Sequence, residues 1–341
     1  MTTLSADDDL LVGDAPDEQA DRFFDRFYFN LHGPEPLPLV MIGAGVYPGT
    51  GVVDGYVIRM APGVQHNARF STLADELPAD AVGPLSWEVI EPLRTWRIVL
   101  GPNPTGTELD VVWRARTNPW ETERVVIDDG RGGLSDFGHF FQSGSYEGEL
   151  RIDGVRHDVT GWLGQRDRSR GVRLVSAGGG LHMWVQAQFE DAAVAVLWDE
   201  DRAGATTQID GAVLGTDGTD DPIVAGRHDL EFDADLDFVR GTIELDTESG
   251  RTVRLDADGT TGGGFLSGGG YGGWHGKRHG VDVVEHEAWT LGSSVTPRTL
   301  DTPLTDRPAS FVRDGAVQGA GIFEFAVTRS PSYTYRSTLI R

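Results

Sequence analysis

From Tyr28 onward, apolar and polar positions alternate with the period of a strand, and Gly, Pro, Asn-Pro and Asp-Gly interrupt the pattern about every 8 to 12 residues. That rhythm predicts antiparallel strands and hairpins rather than βαβ units. Leu230, Phe232, Ala234, Leu236 and Phe238 alternate with acidic residues, which predicts one strand with a buried face and a wet face. Ile243 and Leu245, then Val253 and Leu255 beyond a turn at Thr247 to Gly250, extend it into a meander. Leu150 and Ile152, the turn Asp153-Gly154, and Val155 with Val159 predict another hairpin. Leu181, Met183, Val185, Ala187 and Phe189 share one face of a strand, while His182, Trp184, Gln186 and Gln188 share the other. Phe323, Phe325 and Val327 predict a last strand. Ala20, Phe23, Phe24 and Phe27 recur at helical spacing and predict the one short helix, leading into Tyr28-Phe29-Asn30.

A chain of 341 residues exceeds one ordinary core and suits two domains. The run Gly161 to Arg166, after one hairpin, echoes Gly273 to Arg278, after another. The echo predicts two similar β-barrels, over residues 21–172 and 173–341, behind an acidic leader over residues 1–20 whose composition predicts disorder. The balance of 29 basic against 53 acidic residues leaves a formal charge of −24, and Lys277 is the one lysine. Such a surface repels phosphate backbones and anionic lipid, so nucleic-acid and membrane partners are disfavoured. The chain has no cysteine, which removes disulfides and thiolate chemistry. No apolar run reaches the roughly 18 residues that span a bilayer, and the leader lacks the basic and apolar regions of a secretion signal. The expectation is a soluble, cytoplasmic protein.

Three motifs fall short of their chemistry. The glycine-rich run Gly259 to Gly280 lacks the spacing of a phosphate loop, since Tyr271 stands where its first glycine belongs and Arg278 follows Lys277. It reads instead as a flap or wide turn at a barrel mouth. His275, His279 and His286 with Glu285 and Glu287 have no rigid frame for zinc, so no metal is expected. Gly144 to Gly148 lacks the spacing of a nucleophile elbow.

His139-Phe140-Phe141 and the run Gly161 to Gly171 place one His and one Asp on neighbouring pieces of apolar wall. Together with Tyr28-Phe29-Asn30-Leu31-His32 and the stretch Gly43 to Gly55, the segment Gln142 to Gly171 resembles the hydroxyneurosporene-synthase-like family, which includes carotenoid 1,2-hydratases, kievitone hydratase and AttH-like proteins. The specific part is Gly-x-x-Asp-x-Ser-x-Gly from Gly164 to Gly171, where the hydratases read closer to Gly-Tyr-x-Asp-His-Ser-Trp-Gly. This chain departs at Gln165, Arg168 and Arg170. The resemblance implies an all-β fold of two consecutive lipocalin-like antiparallel barrels. It also implies acid-base chemistry, without cofactor or metal, at a carbon-carbon double bond of a hydrophobic isoprenoid-like or polyketide-like substrate.

In the carotenoid hydratases a His-x-Trp pair and a Tyr-x-Asp pair are implicated in protonating the alkene and shielding the cation. Here His139 matches the His, Phe141 stands at the Trp, Gln165 at the Tyr, and Asp167 matches the Asp. On that footing Asp167 would donate the proton from a dry pocket and His139 would orient it, with hydration, isomerisation and cyclisation all open. Phe141, Gln165, Trp162, Trp184 and His182 complete the candidate substrate-binding set. The competing reading of Asp167 is an ion pair with Arg166, Arg168, Arg170 or Arg173. The competing function is a non-catalytic carrier, since eight-stranded barrels hold a small apolar ligand.

Overall fold

The computed structural model describes residues 4–11, 15, 22–33, 38–73, 80–128, 134–173, 179–259, 262–292 and 294–339. They form two lipocalin-like bodies of antiparallel strands. The first sheet runs, edge to edge, through Val283–Thr290, Val64–Leu73, Val52–Ala61, Leu39–Tyr47, Phe23–His32, Leu163–Val172, Leu134–Ile152, Thr107–Ala115, Thr95–Leu100, Leu85–Glu91 and Ala81–Val82. It curls until Val82 and Leu85 press on the backbone of Gly55, where a Cβ would stand 2.8 Å from Val82 Cγ1. The second body is a closed barrel of eight strands, Leu181–Gln188, Ala192–Glu200, Thr206–Gly215, Asp220–Phe232, Phe238–Thr247, Thr252–Asp258, Thr305–Arg313 and Val317–Val327. Thr206–Gly215 pairs with Asp220–Phe232 only at Ala212, Val213 and Leu214, and the C-terminal tail lies along the unpaired remainder. There Thr338 N and Leu339 N donate to the carbonyl of His228, and Leu230 N donates to the Tyr335 hydroxyl.

Side chains fill both interiors. Phe27, Phe29, Trp96 and Trp113 pack inside the first body, and Phe238 stacks on Phe323 with ring centres 3.9 Å apart inside the second. A third apolar cluster belongs to neither: Tyr28, Met41, Tyr56, Ile58 and Phe141 of the first sheet meet Trp184, Ala195, Leu197, Leu214 and Ile322 of the barrel.

Several expectations change. The N-terminal helix is instead the strand Phe23–His32, with Phe27, Phe29 and Leu31 turned inward. Because the outer face is covered by the second body, it carries Phe24 and Tyr28 beside Arg26 and Asn30, and aromatic residues on both faces imitate a helical spacing; Ala20 lies outside the described residues. The acidic leader is docked over the residues described: Ala6–Asp9 form a 3-10 turn, and Asp9 is buried on Arg166. Leu230 to Phe238 is not one strand, since the chain turns at Asp233 to Asp237, with Leu236 at φ 64°. The glycine-rich echo has no structural counterpart, because Leu163–Val172 is a strand while Gly273 to Arg278 is a succession of turns. Val283–Thr290, late in the chain, is hydrogen-bonded to the first sheet through Val64–Leu73.

Candidate active site between the barrels

Antiparallel register lines up side chains across strands, and the first sheet presents two such rows to the second body. One row is Phe141, Asp167, Tyr28, Gly43 and Tyr56; the next, two residues along each strand, is His139, Ser169, Arg26, Gly45 and Asp54. Gly43 and Gly45 are required there: a Cβ at Gly43 would meet Tyr56 Cε1 at 2.5 Å, and one at Gly45 would meet Arg26 Cγ at 2.3 Å. The barrel opposes them with its own row, Trp184, Glu324 and Asp306. The Tyr28 ring lies 6.0 Å from Trp184, Phe141 lies 6.0 Å from it and His139 6.1 Å.

A hydrogen-bonded chain crosses this layer. Asn30 Nδ2 donates to the Tyr28 hydroxyl at 3.3 Å, and that hydroxyl donates to Asp306 Oδ2. Asp306 stands directly across the strand pair from Glu324, and Glu324 Oε1 is 2.9 Å from His182 Nε2, whose Nδ1 is 2.7 Å from Asp199 Oδ1. Asp306 is fully buried, and burial first, then the negative charge of Glu324, raises its pKa well above the usual carboxylate range. Burial also opposes ionisation of Glu324, but the hydrogen bond and charge of His182 prevail and lower its pKa. Of the two, Asp306 is the one whose neutral form is favoured. Burial above all raises the Tyr28 pKa well above 10, so this phenol stays a donor.

His182 supplies a direct check. Burial works against its cation, yet the charge and hydrogen bond of Asp199, and then Glu324, raise its pKa from 6.5 to about 10. A raised pKa contributes stability in full below 6.5 that is lost as pH rises towards 10. The His182 imidazole NMR signals should therefore stay in the protonated position through neutral pH and move only near pH 10. Titration close to 6.5 would contradict the ion-paired arrangement.

Most residues singled out from sequence meet here. Asp167 Oδ2 lies 3.6 Å from His139 Nε2, an ion-pair distance longer than a hydrogen bond. The arginines expected to neutralise Asp167 do not. Period two turns Arg166 and Arg168 to the opposite face, onto Asp9 and Asp25, while Arg170 reaches Asp8. Arg173 stacks on Phe137 instead, and among the described residues no arginine lies within 4.0 Å of the Asp167 carboxylate. Phe141 and Trp184 are wall residues, and Gln165 is fully buried with both amide atoms unpartnered, as is Gln186 across the layer. Trp162 is not part of the site; it packs against the core of the first body.

Asp306, Glu324, Tyr28 and Arg26 were not legible as a site. Phe323-Glu324-Phe325 and Thr305-Asp306-Arg307 look like wet strand faces until a second sheet covers them. The glycine-rich stretch is also part of the surroundings rather than a free flap. Tyr271 and His275 pack on Tyr56, and His275 Nδ1 is 3.0 Å from Asp54 Oδ1. Arg69 binds Glu285 and Glu287, His279 stacks on Trp274, and no three metal-ligating side chains converge among the described residues. None of the helices among those residues is long and apolar enough to cross a membrane.

The profile of DUF8625, a family of unknown function, matches residues 12–334. The chain belongs to that family. No curated protein matches the sequence. Among solved structures, this DUF8625 chain is similar to an AttH-like protein of Nitrosomonas europaea, with 13% identity and a TM-score of 0.59 over 90% of this chain and 94% of that one. Kievitone hydratase of Nectria haematococca has 12% identity and a TM-score of 0.49, covering 91% and 90% of the two chains. At 13% identity the likeness to the AttH-like structure shows the fold, two consecutive lipocalin-like barrels.

Proposed function

We propose that this protein is an acid-base enzyme acting, without a cofactor, on a carbon-carbon double bond of a hydrophobic, isoprenoid-like or polyketide-like molecule held between the barrels. The observation that carries this reading is Asp306: a fully buried carboxyl whose neutral form burial favours, bonded to the Tyr28 phenol, whose ring lies 6.0 Å from Trp184. Protonating an unactivated alkene needs an acid in a dry site and π-faces beside the cation that forms. Asp306 meets the first requirement better than Asp167, whose side chain is 23% exposed. In this scheme the Asp306 O–H bond breaks and a C–H bond forms, leaving positive charge on the neighbouring carbon against Trp184, Phe141 and Tyr28. Asp167, with His139 beside it, then takes a proton from attacking water, which gives hydration, or from an adjacent carbon, which gives isomerisation.

The carrier reading draws no support from the barrel interiors, which aromatic side chains fill. A panel of unsaturated isoprenoid and polyketide compounds in deuterated, 18O-labelled water tests the proposal. Deuterium on carbon, with 18O where hydration follows, is the expected result by mass spectrometry. Binding of panel members with neither label incorporated would leave the carrier.

A further inference from the structure

Arg26 and Arg173 lie at the edge of the layer in a chain with 53 acidic and 29 basic residues, and neither pairs with a carboxylate. Among the described residues neither guanidinium has a hydrogen bond or an ion pair; each only stacks on rings. Arg26 lies 4.6 Å from the Tyr271 ring and 5.9 Å from Phe24, while Arg173 lies 4.0 Å from Phe137 and 5.8 Å from the same Phe24. A ring face offsets part of the lost hydration of a guanidinium but leaves its N–H donors unused. The nearby acids are already engaged: Asp54 accepts from His275 and from Gly276 N at 2.7 Å, Asp167 faces His139, and Glu324 binds His182. Both guanidinium carbons lie within 5.9 Å of the one Phe24 ring, so the two cations lie in each other's field. Arg173 is exposed and Arg26 is half-buried, which orders them from the rim inward.

Position completes the argument. Arg26 and Tyr28 share one face of a strand, two residues apart, which separates their Cα atoms by about 7 Å. A molecule whose double bond lies at Tyr28 and Asp306 would present whatever group lies about that far along it to Arg26.

We propose that Arg26 and Arg173 form an anion-binding subsite, and that the ligand of the layer between the barrels is an unsaturated apolar acid bearing one carboxylate. The apolar half of this statement rests on the proposed function; the anionic half rests on the two arginines. A single carboxylate fits better than a phosphate dianion, because Asp54, Asp167 and Glu324 already supply negative charge around the pair.

The fluorescent tetraene cis-parinaric acid and its methyl ester, which differ only in the charged end, test the subsite by direct titration. The wild type should bind the acid about tenfold more tightly than the ester, the worth of one charge-assisted hydrogen bond. Arg26→Met, which keeps the stem over Gly45, and Arg173→Gln should each remove most of that preference and leave ester binding unchanged, so that the ester reports an intact fold. Raising the salt concentration should narrow the gap. Equal affinity for the two probes, no binding of either, or an acid affinity that neither variant alters would overturn the proposal. Asp306→Asn should keep the acid preference. A protein that keeps it yet never exchanges label with water would refute the catalytic reading alone.

Discussion

Asp306→Asn should lower turnover by a factor of about 10² to 10⁴, the usual contribution of a positioned proton donor, while ligand binding stays within about twofold. Asn is nearly isosteric, still accepts from Tyr28 and can donate to Glu324, so only the titrating proton is lost. The variant should also be no less stable than the wild type. Folding raises the Asp306 pKa above its unfolded value of 3.8, so the stability linked to this group is fully present in acid and declines as pH rises through the folded pKa. At neutral pH the buried carboxyl is a cost, and Asn removes it. Turnover lost with an unchanged or raised melting temperature is the expected pair of results. A melting temperature that falls with activity would show a structural carboxyl instead. In the wild type, activity should fall with rising pH as Asp306 gives up its proton.

Asp9→Ala should destabilise the protein by about 3–5 kcal/mol in urea unfolding. The Asp9 carboxylate is fully buried in the first body, where it binds Arg166 Nη1 at 2.6 Å, Trp96 Nε1 at 2.9 Å and Leu93 N at 2.5 Å. Arg166 is 1% exposed, and its other partner is Gln142 Oε1, at 2.9 Å. Removing the carboxylate leaves a guanidinium without its counter-charge among Trp96, Trp113 and Phe140. Adding Arg166→Met should recover much of the loss, because an apolar side chain of similar reach has no charge to desolvate. A loss below about 1 kcal/mol would mean that water reaches the arginine once the leader is weakened.

These two residues mark the limits of reading the chain by itself. Asp7-Asp8-Asp9 looks like a solvated run, because local composition carries no sign of the arginine more than 150 positions later that takes one of the three acids inside. Glu324 sits between Phe323 and Phe325, and Asp306 between Thr305 and Arg307, as surface acids do, and only a second sheet laid over that face buries Asp306 and half-buries Glu324. The strand Leu181–Gln188 was legible because its two faces differ in kind, with Met183 and Val185 on one and His182, Trp184 and Gln186 on the other. Phe23–His32 was misread for the opposite reason, since both of its faces are covered and period two vanishes.

Alternation and turn residues alone determined an all-β chain, most hairpins and the face carrying His182 and Trp184, because period two and the backbone needs of a turn are local. The Gly164 to Gly171 run likewise led to Asp167 and to its neighbour His139 across the sheet. Which carboxyl is neutral, which arginines lack partners and where the two bodies meet were decided by tertiary structure. Desolvation and Coulomb interaction depend on what lies across a few ångströms of space, and here that neighbour comes from a strand more than a hundred residues away.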